Sequence, residues 1–184
     1  SLTSIQIDAL TSDQVVKLNA QALNSISIQY IAGDDFGKMT ASQVSKLDSG
    51  QIRALTSNQI GAMRTDQIRA LTRTQIGSLS QDQLNWITQP NLVKLTNGQM
   101  TSLSATQVGY FNASQLNLLE DSQLQALTTQ QIQGLSAGFT AGGLATGQLN
   151  ELTDAKLQAL TTRQISALDN STQLTQLGTK AIAA

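Results

Sequence analysis

Histidine and cysteine are absent from this sequence, proline occurs once, and aromatic residues make up only 3 % of its 184 positions. Without cysteine there is no disulfide and no thiolate ligand. Without histidine the commonest transition-metal ligand and general base are missing. Charge is scarce as well: 12 % of the residues are charged, against about 25 % in an average globular protein. Eleven Lys and Arg against twelve Asp and Glu leave a net charge of −1, so no broad positive field exists to attract nucleic acid or an anionic membrane. No apolar run approaches the roughly 18 residues of a membrane span, and no basic-then-apolar signal peptide opens the chain. A first residue other than Met points to a processed or excised segment. Neither a Ser-His-Asp arrangement nor a recognisable pair of catalytic acids is present. The expectation is a chain with no enzymatic activity, no cofactor, no metal centre, no nucleic-acid partner and no membrane insertion.

What is present is Gln, Thr, Ser, Asn and Ala arranged in a repeat. From Thr40 the sequence reads in eights: TASQVSKL, DSGQIRAL, TSNQIGAM, RTDQIRAL, TRTQIGSL and so on, twelve units over residues 40–135 without an insertion or deletion. Position four is Gln in eleven of the twelve, Asn91 being the exception, and positions five and eight are apolar in all twelve. Position one is Ser, Thr, Asp or Asn in ten, with Arg64 and Glu120 departing. The register extends backward through TSIQIDAL (3–10) and TSDQVVKL (11–18) and forward through ATGQLNEL, TDAKLQAL and TTRQISAL (145–168). It slips at 27–39, 136–144 and 169–177. A single repeat array over 1–184 is the expected organisation.

An eight-residue period fits neither a continuous helix nor a strand. At 3.6 residues per turn, eight residues rotate about 800°, so each apolar pair would lie about 80° from the last and the stripe would face no single partner. In a strand, positions five and eight would point to opposite faces. The phrase L-T-x-x-Q-I explains the period. Thr followed three residues later by Gln is a capping box, and the apolar residues before the cap and at the fourth helical position form a hydrophobic staple. Each octad therefore starts a new helix of about six residues, too short to persist alone in water. The sequence predicts an all-α solenoid of very short helices, one per repeat, held by stacking. The capping residues are Thr40 with Gln43, Thr56 with Gln59, Thr72 with Gln75, Thr96 with Gln99, and Thr128 with Gln131. The core column includes Ile52, Leu55, Ile60, Ile68, Leu71, Ile76 and Leu79. Alternation at position six, Arg53, Gly61, Arg69, Gly77, points to two octads per coil, with three as the alternative. Capping is the principal reading of the Gln column, beside a hydrogen-bonded ladder or a glycan-binding row.

Features that carry chemistry are few. Asp34 and Asp35 sit among glycines in YIAGDDFGKM, too few oxygens for a calcium loop, and read as an exposed turn. SAGFTAGGLA (136–145) lacks the Lys and the spacing of a phosphate loop and reads as a bend with Phe139 in the place of Gln. Arg53, Arg64, Arg69 and Arg73 read as a solvated face balanced by Asp48 and Asp66. Trp86, Tyr110 and Phe111 are the candidate interaction patch, with Trp86 and Tyr110 both at position seven, three units apart. A sugar-stacking or partner surface and a local filling of the core both remain open for them. Asn112-Ala113-Ser114 and Asn170-Ser171-Thr172 match the N-glycosylation pattern.

Runs such as ALTSNQIGAM, ALTRTQIGSL and ALTTQQIQGL resemble the LTxxQIxAL tandem repeats of large secreted or surface-anchored bacterial proteins of the repetitive adhesin and RTX type. The likeness covers about residues 3–26 and 40–168. It implies an extracellular or cell-surface setting and a stalk, adhesin or filament role. The calcium-binding Gly-Gly-x-Gly-x-Asp phrase of RTX nonapeptides is missing, so calcium dependence is not implied. Soluble arrays usually carry polar terminal units, whereas this sequence opens at SL and ends in AIAA. The expected partner is a second copy, end to end or lateral, and a glycan or surface protein along one face is the competing expectation.

Overall fold

The computed structural model describes residues 2–135, 144 and 146–168. The chain is an all-α solenoid of short helices: among the described residues there are nineteen α-helices of four to six residues, one short 3₁₀ helix and no strand. Two compact units, Ser1–Lys94 and Leu95–Ala184, divide it. Each is built by the same local rules.

Two residues of extended backbone separate the helices Ser49–Ala54 and Ser57–Ala62. Leu55 at position eight (φ −62°, ψ 135°) and Thr56 at position one (φ −85°, ψ 166°) are both extended, and the helix Ser57–Ala62 starts directly after them. A tight bond from the Leu55 amide to the Ile52 carbonyl (3.2 Å) closes the preceding helix, the three-residue type of closure common at helix ends. Positions five and eight then face inward together. Ile52, Ile60, Ile68 and Ile76 are 2 % exposed or less, and Leu55, Leu71 and Leu79 lie at 4–6 %. The space enclosed between Ile52, Ile60, Ile68, Met63 and Ile87 and their leucine neighbours amounts to about 10 Å³, no more than a single water would occupy. The interior of this stretch is a packed apolar column rather than a channel.

The number of repeats per coil differs from the two suggested by the alternation at position six. Within residues 1–94, Gly33–Lys38 packs on Ser57–Ala62, and Ala41–Lys46 packs on Thr65–Ala70. Within 95–184, Asn97–Met100 packs on Asp121–Ala126, and Ala105–Val108 packs on Thr129–Gly134. In each case the partner is the third repeat along. Position six does not mark a coil of two, because its environment depends on what the third repeat presents. A Cβ at Gly37 would lie 2.9 Å from the Ala62 carbonyl oxygen, and one at Gly109 would lie 2.5 Å from that of Gly134, whereas Gly61 faces open space. Gly134 is tighter still against the Ala105 backbone. Small residues at position seven, Ala or Gly, let these helices approach.

The expected irregularity at 27–39 contracts to 27–31. Residues 32–39 form a complete repeat, with the helix Gly33–Lys38 and with Phe36 and Met39 fully buried at positions five and eight. Asp34 and Asp35 therefore lie in the first turn of a helix, not in an exposed turn. Residues 27–31 are a repeat that has lost its first helical turn: the 3₁₀ helix Ile28–Tyr30 keeps Ile28 and Ile31 in the core. Of the slip at 136–144 only Leu144 belongs to the described residues, and it is buried. The bend assigned to SAGFTAGGLA with Phe139, the slip at 169–177, Asn170 and the AIAA end all lie outside the described residues.

Candidate functional site

The glutamine at position four is the one polar side chain that recurs inside the core. Gln59, Gln67, Gln75, Gln83, Gln99, Gln123 and Gln131 are all 3 % exposed or less. Its Oε1 faces the start of its own helix, accepting from the cap amide at 2.8 Å for Thr40, Thr72, Thr96 and Thr128 and at 3.0 Å for Thr56. In return the Thr hydroxyl accepts from the amide of Gln43, Gln59, Gln75, Gln99 or Gln131 at 3.1–3.3 Å. Reciprocal capping satisfies two of the amides a helix start leaves unpaired.

The amide nitrogen reaches elsewhere. Gln75 Nε2 donates to the carbonyls of Val44 (2.9 Å) and Leu47 (2.7 Å), and Gln59 Nε2 donates to those of Ile28 and Ile31, both at 2.8 Å. Gln131 does the same to Met100 (2.8 Å) and Leu103 (2.7 Å). The acceptors are positions five and eight of the fourth repeat back, 31 and 28 residues away. One side chain thus caps its own helix and clips the end of a helix in the coil before it. The column is a capping row and a ladder at once. Burial removes the glycan-row reading, since a ligand has no access to these amides.

The ladder counts repeats, not residues. Across the shortened repeat 27–31 the separations fall by three: Gln43 Nε2 bonds Val15 O, 28 residues back, and Leu18 O, 25 back. Across 136–144, one residue longer than an octad, they rise by one, to 32 and 29 for Gln148 on Leu116 and Leu119. The partners remain positions five and eight of the fourth repeat back, and Gln83 and Gln164 add the position-six carbonyls of Arg53 and Gln133.

Departures from Gln show what each end of the amide supplies. Asn91, one methylene shorter, donates to Met63 O at 2.6 Å, and its oxygen accepts from the Thr65 hydroxyl. Asp35 has no donor to offer and instead accepts from the Ser12 hydroxyl. Lys156 keeps the donating half only, placing Nζ on Leu124 O (3.3 Å) and Gln125 O (2.5 Å). Its burial holds the ammonium below the ordinary lysine value, because desolvation disfavours the charged form. Arg64, in a cap position, offers no acceptor. Its guanidinium donates to the carbonyls of Gly37 and Met39 and pairs with Asp66 at 3.1 Å. That hydrogen bond lowers the Asp66 carboxyl below its usual value.

The candidate surface residues divide. Trp86 is 37 % exposed at the end of the helix Gln81–Trp86, and Tyr110 is half-buried. Phe111 is 1 % exposed and does not belong to a surface patch, because position eight points into the core column. Arg53, Arg64, Arg69 and Arg73 are all exposed, and Arg64 also donates to the neighbouring coil. Asn112 serves as a cap, its Oδ1 accepting from the Gln115 amide at 3.0 Å. A cleft of about 520 Å³ opens where Gly33–Lys38 meets Ser57–Ala62, lined by Asp34, Ser57, Asn58, Gly61 and small neighbours. Among the described residues no three His, Cys, Asp or Glu side chains group together, no buried side-chain polar atom lacks a partner, and no helix is long and apolar enough to cross a membrane.

Residues 28–65 match the family model described as the ALTTAQ repeat. Tandem repetition is the chain's organising feature. ALTSNQ (54–59), inside the matched stretch, follows the same pattern as ALTRTQ (70–75) and ALTTQQ (126–131). Each runs from the end of one helix through the cap to the ladder glutamine. No curated protein matches the chain.

The sequence offered the ladder only as an alternative to capping, yet it carries a signal that the glutamine does both. A capping box needs only an acceptor at its third helical position, so Glu serves as well as Gln. Eleven Gln and no Glu in twelve repeats require the amide nitrogen.

Proposed function

We propose that this array is a non-enzymatic structural element of the bacterial cell surface or extracellular space, serving as a stalk, an adhesin segment or the subunit of a self-assembling filament. The observation that supports it most is where the recurring polar groups go. Cap hydroxyls and ladder amides are consumed within the scaffold, so the repeat encodes a coil and not a reactive site. The resemblance of its repeat phrase to those of large surface proteins supports the setting. Sedimentation and negative-stain imaging of the purified protein over a concentration series test the filament form: growth into fibres supports it, and a monomer at the highest concentration rejects it. Surface labelling of intact cells with an antibody tests the location, and signal only after lysis rejects it.

A second reading is a binding module for a glycan or a protein, favoured by the cleft beside Asp34, Ser57 and Asn58 and by the exposed Trp86. Aromatic faces and convergent polar groups are the usual components of such surfaces. Trp86 is the only tryptophan, so its emission during titration with neutral oligosaccharides reports on this reading directly.

A further inference from the structure

We propose that the array is an extensible element that lengthens under tension one repeat at a time and rewinds from whatever folded part remains. The inference goes beyond the surface role and does not rest on it, because it follows from which repeats touch.

Within each compact unit a repeat meets three kinds of neighbour: the adjoining repeats through the chain, the third along through helix packing, and the fourth through the glutamine clip. Removing a terminal repeat therefore breaks one helix contact and one pair of clips while the repeats beyond keep all of theirs. Gln75 on Val44 and Leu47, Gln67 on Phe36 and Met39, and Gln59 on Ile28 and Ile31 are parallel copies of the same rung. Stability in such an array is a sum of local terms and nearest-contact terms, so no single repeat holds the rest.

Rewinding is not symmetric with unwinding. Adding a repeat to an existing coil orders eight residues and gains a rung at once. Starting from a fully extended chain, the first rung requires five consecutive repeats to be in place together, because its donor and acceptors are four repeats apart. That start carries a loop-closure cost that a residual coil has already met.

Optical-tweezers extension of the full chain, held by its two ends, tests both parts. Eight residues extend by at most about 26–29 Å, from roughly 3.3–3.6 Å per residue. We expect increments of one octad, and a mean below about 12 residues supports release by single repeats. A mean increment equal to or larger than that, or one rupture of the whole chain, overturns it. On relaxation, rewinding from half extension is expected to be at least tenfold faster than from full extension, and equal rates overturn the nucleus of five. Gln75→Glu and Gln59→Glu, each removing one rung, should lower the force of one step and leave the increment length unchanged. A change in the increment would place the cooperative element elsewhere.

Discussion

Replacing Gln75 by Glu keeps the shape of the side chain and the acceptor for the Thr72 amide, and removes only the nitrogen that clips Val44 and Leu47. Val44 O retains the Leu47 amide as a partner (3.2 Å), so losing its glutamine bond should cost about 0.5–1.5 kcal/mol. The Leu47 oxygen loses the 2.7 Å bond, and a buried acceptor left without a donor costs about 1–3 kcal/mol. A carboxylate facing two carbonyl oxygens adds its own desolvation, so a loss on the order of 4 kcal/mol at pH 7 is expected. Burial and the facing oxygens raise the carboxyl above its unfolded value of about 4.3. Between those two values the folded chain binds more protons than the unfolded one, so stability falls as pH rises through the window. The deficit should thus be largest at neutral pH and shrink towards pH 4, where the protonated acid donates one bond. Urea titrations at pH 4 to 7, followed by far-UV dichroism and Trp86 emission, measure it against the parent chain. Equal stability at pH 7, or a deficit that does not move with pH, would refute the clip as a stabilising contact.

Lys156→Gln restores the rung acceptor for Thr153 and removes a buried ammonium. It should stabilise the 95–184 unit by about 1 kcal/mol, read as a higher urea midpoint. Because the Lys156 value is lowered on folding, the parent chain gains stability as pH rises towards 10.5 and the advantage of the variant should narrow there. Gly37→Ala meets the Ala62 carbonyl and should cost about 1–3 kcal/mol. Gly61→Ala meets nothing and should be neutral or stabilising by up to about 1 kcal/mol, so only Gly37→Ala should lower the melting temperature. Arg64→Met removes the partner of Asp66, and the Asp66 carboxyl should titrate at higher pH by NMR.

The period, the helix starts and the all-α solenoid were readable because they depend on local chemistry. A hydroxyl, a glutamine three residues on and two apolar positions determine one octad without reference to any other. The number of repeats per coil was not readable, because it depends on contacts between residues some 24 to 32 apart that leave no local mark. Gly61 and Gly37 occupy the same position of the octad, yet one faces open space and the other a backbone. The repeat 32–39 carries no glutamine mark, because Ala32 and Asp35 replace both capping residues. Phe36 and Met39 mark it nonetheless, because the apolar spacing is what the core selects. For Phe111, where a partner surface and a filling of the core were both open, position eight of the octad decides for the core.

The glutamine connectivity repeats, at a larger scale, the geometry of the α-helix itself. There a backbone N–H donates to a carbonyl four residues earlier, with 3.6 residues in each turn. Here an entire octad takes the place of a residue, a side-chain amide takes the place of the N–H, and the acceptors lie four octads earlier while packing partners lie three away. The same rule generates both levels. One consequence is that whole octads can be added or deleted during evolution without altering the geometry of those that remain.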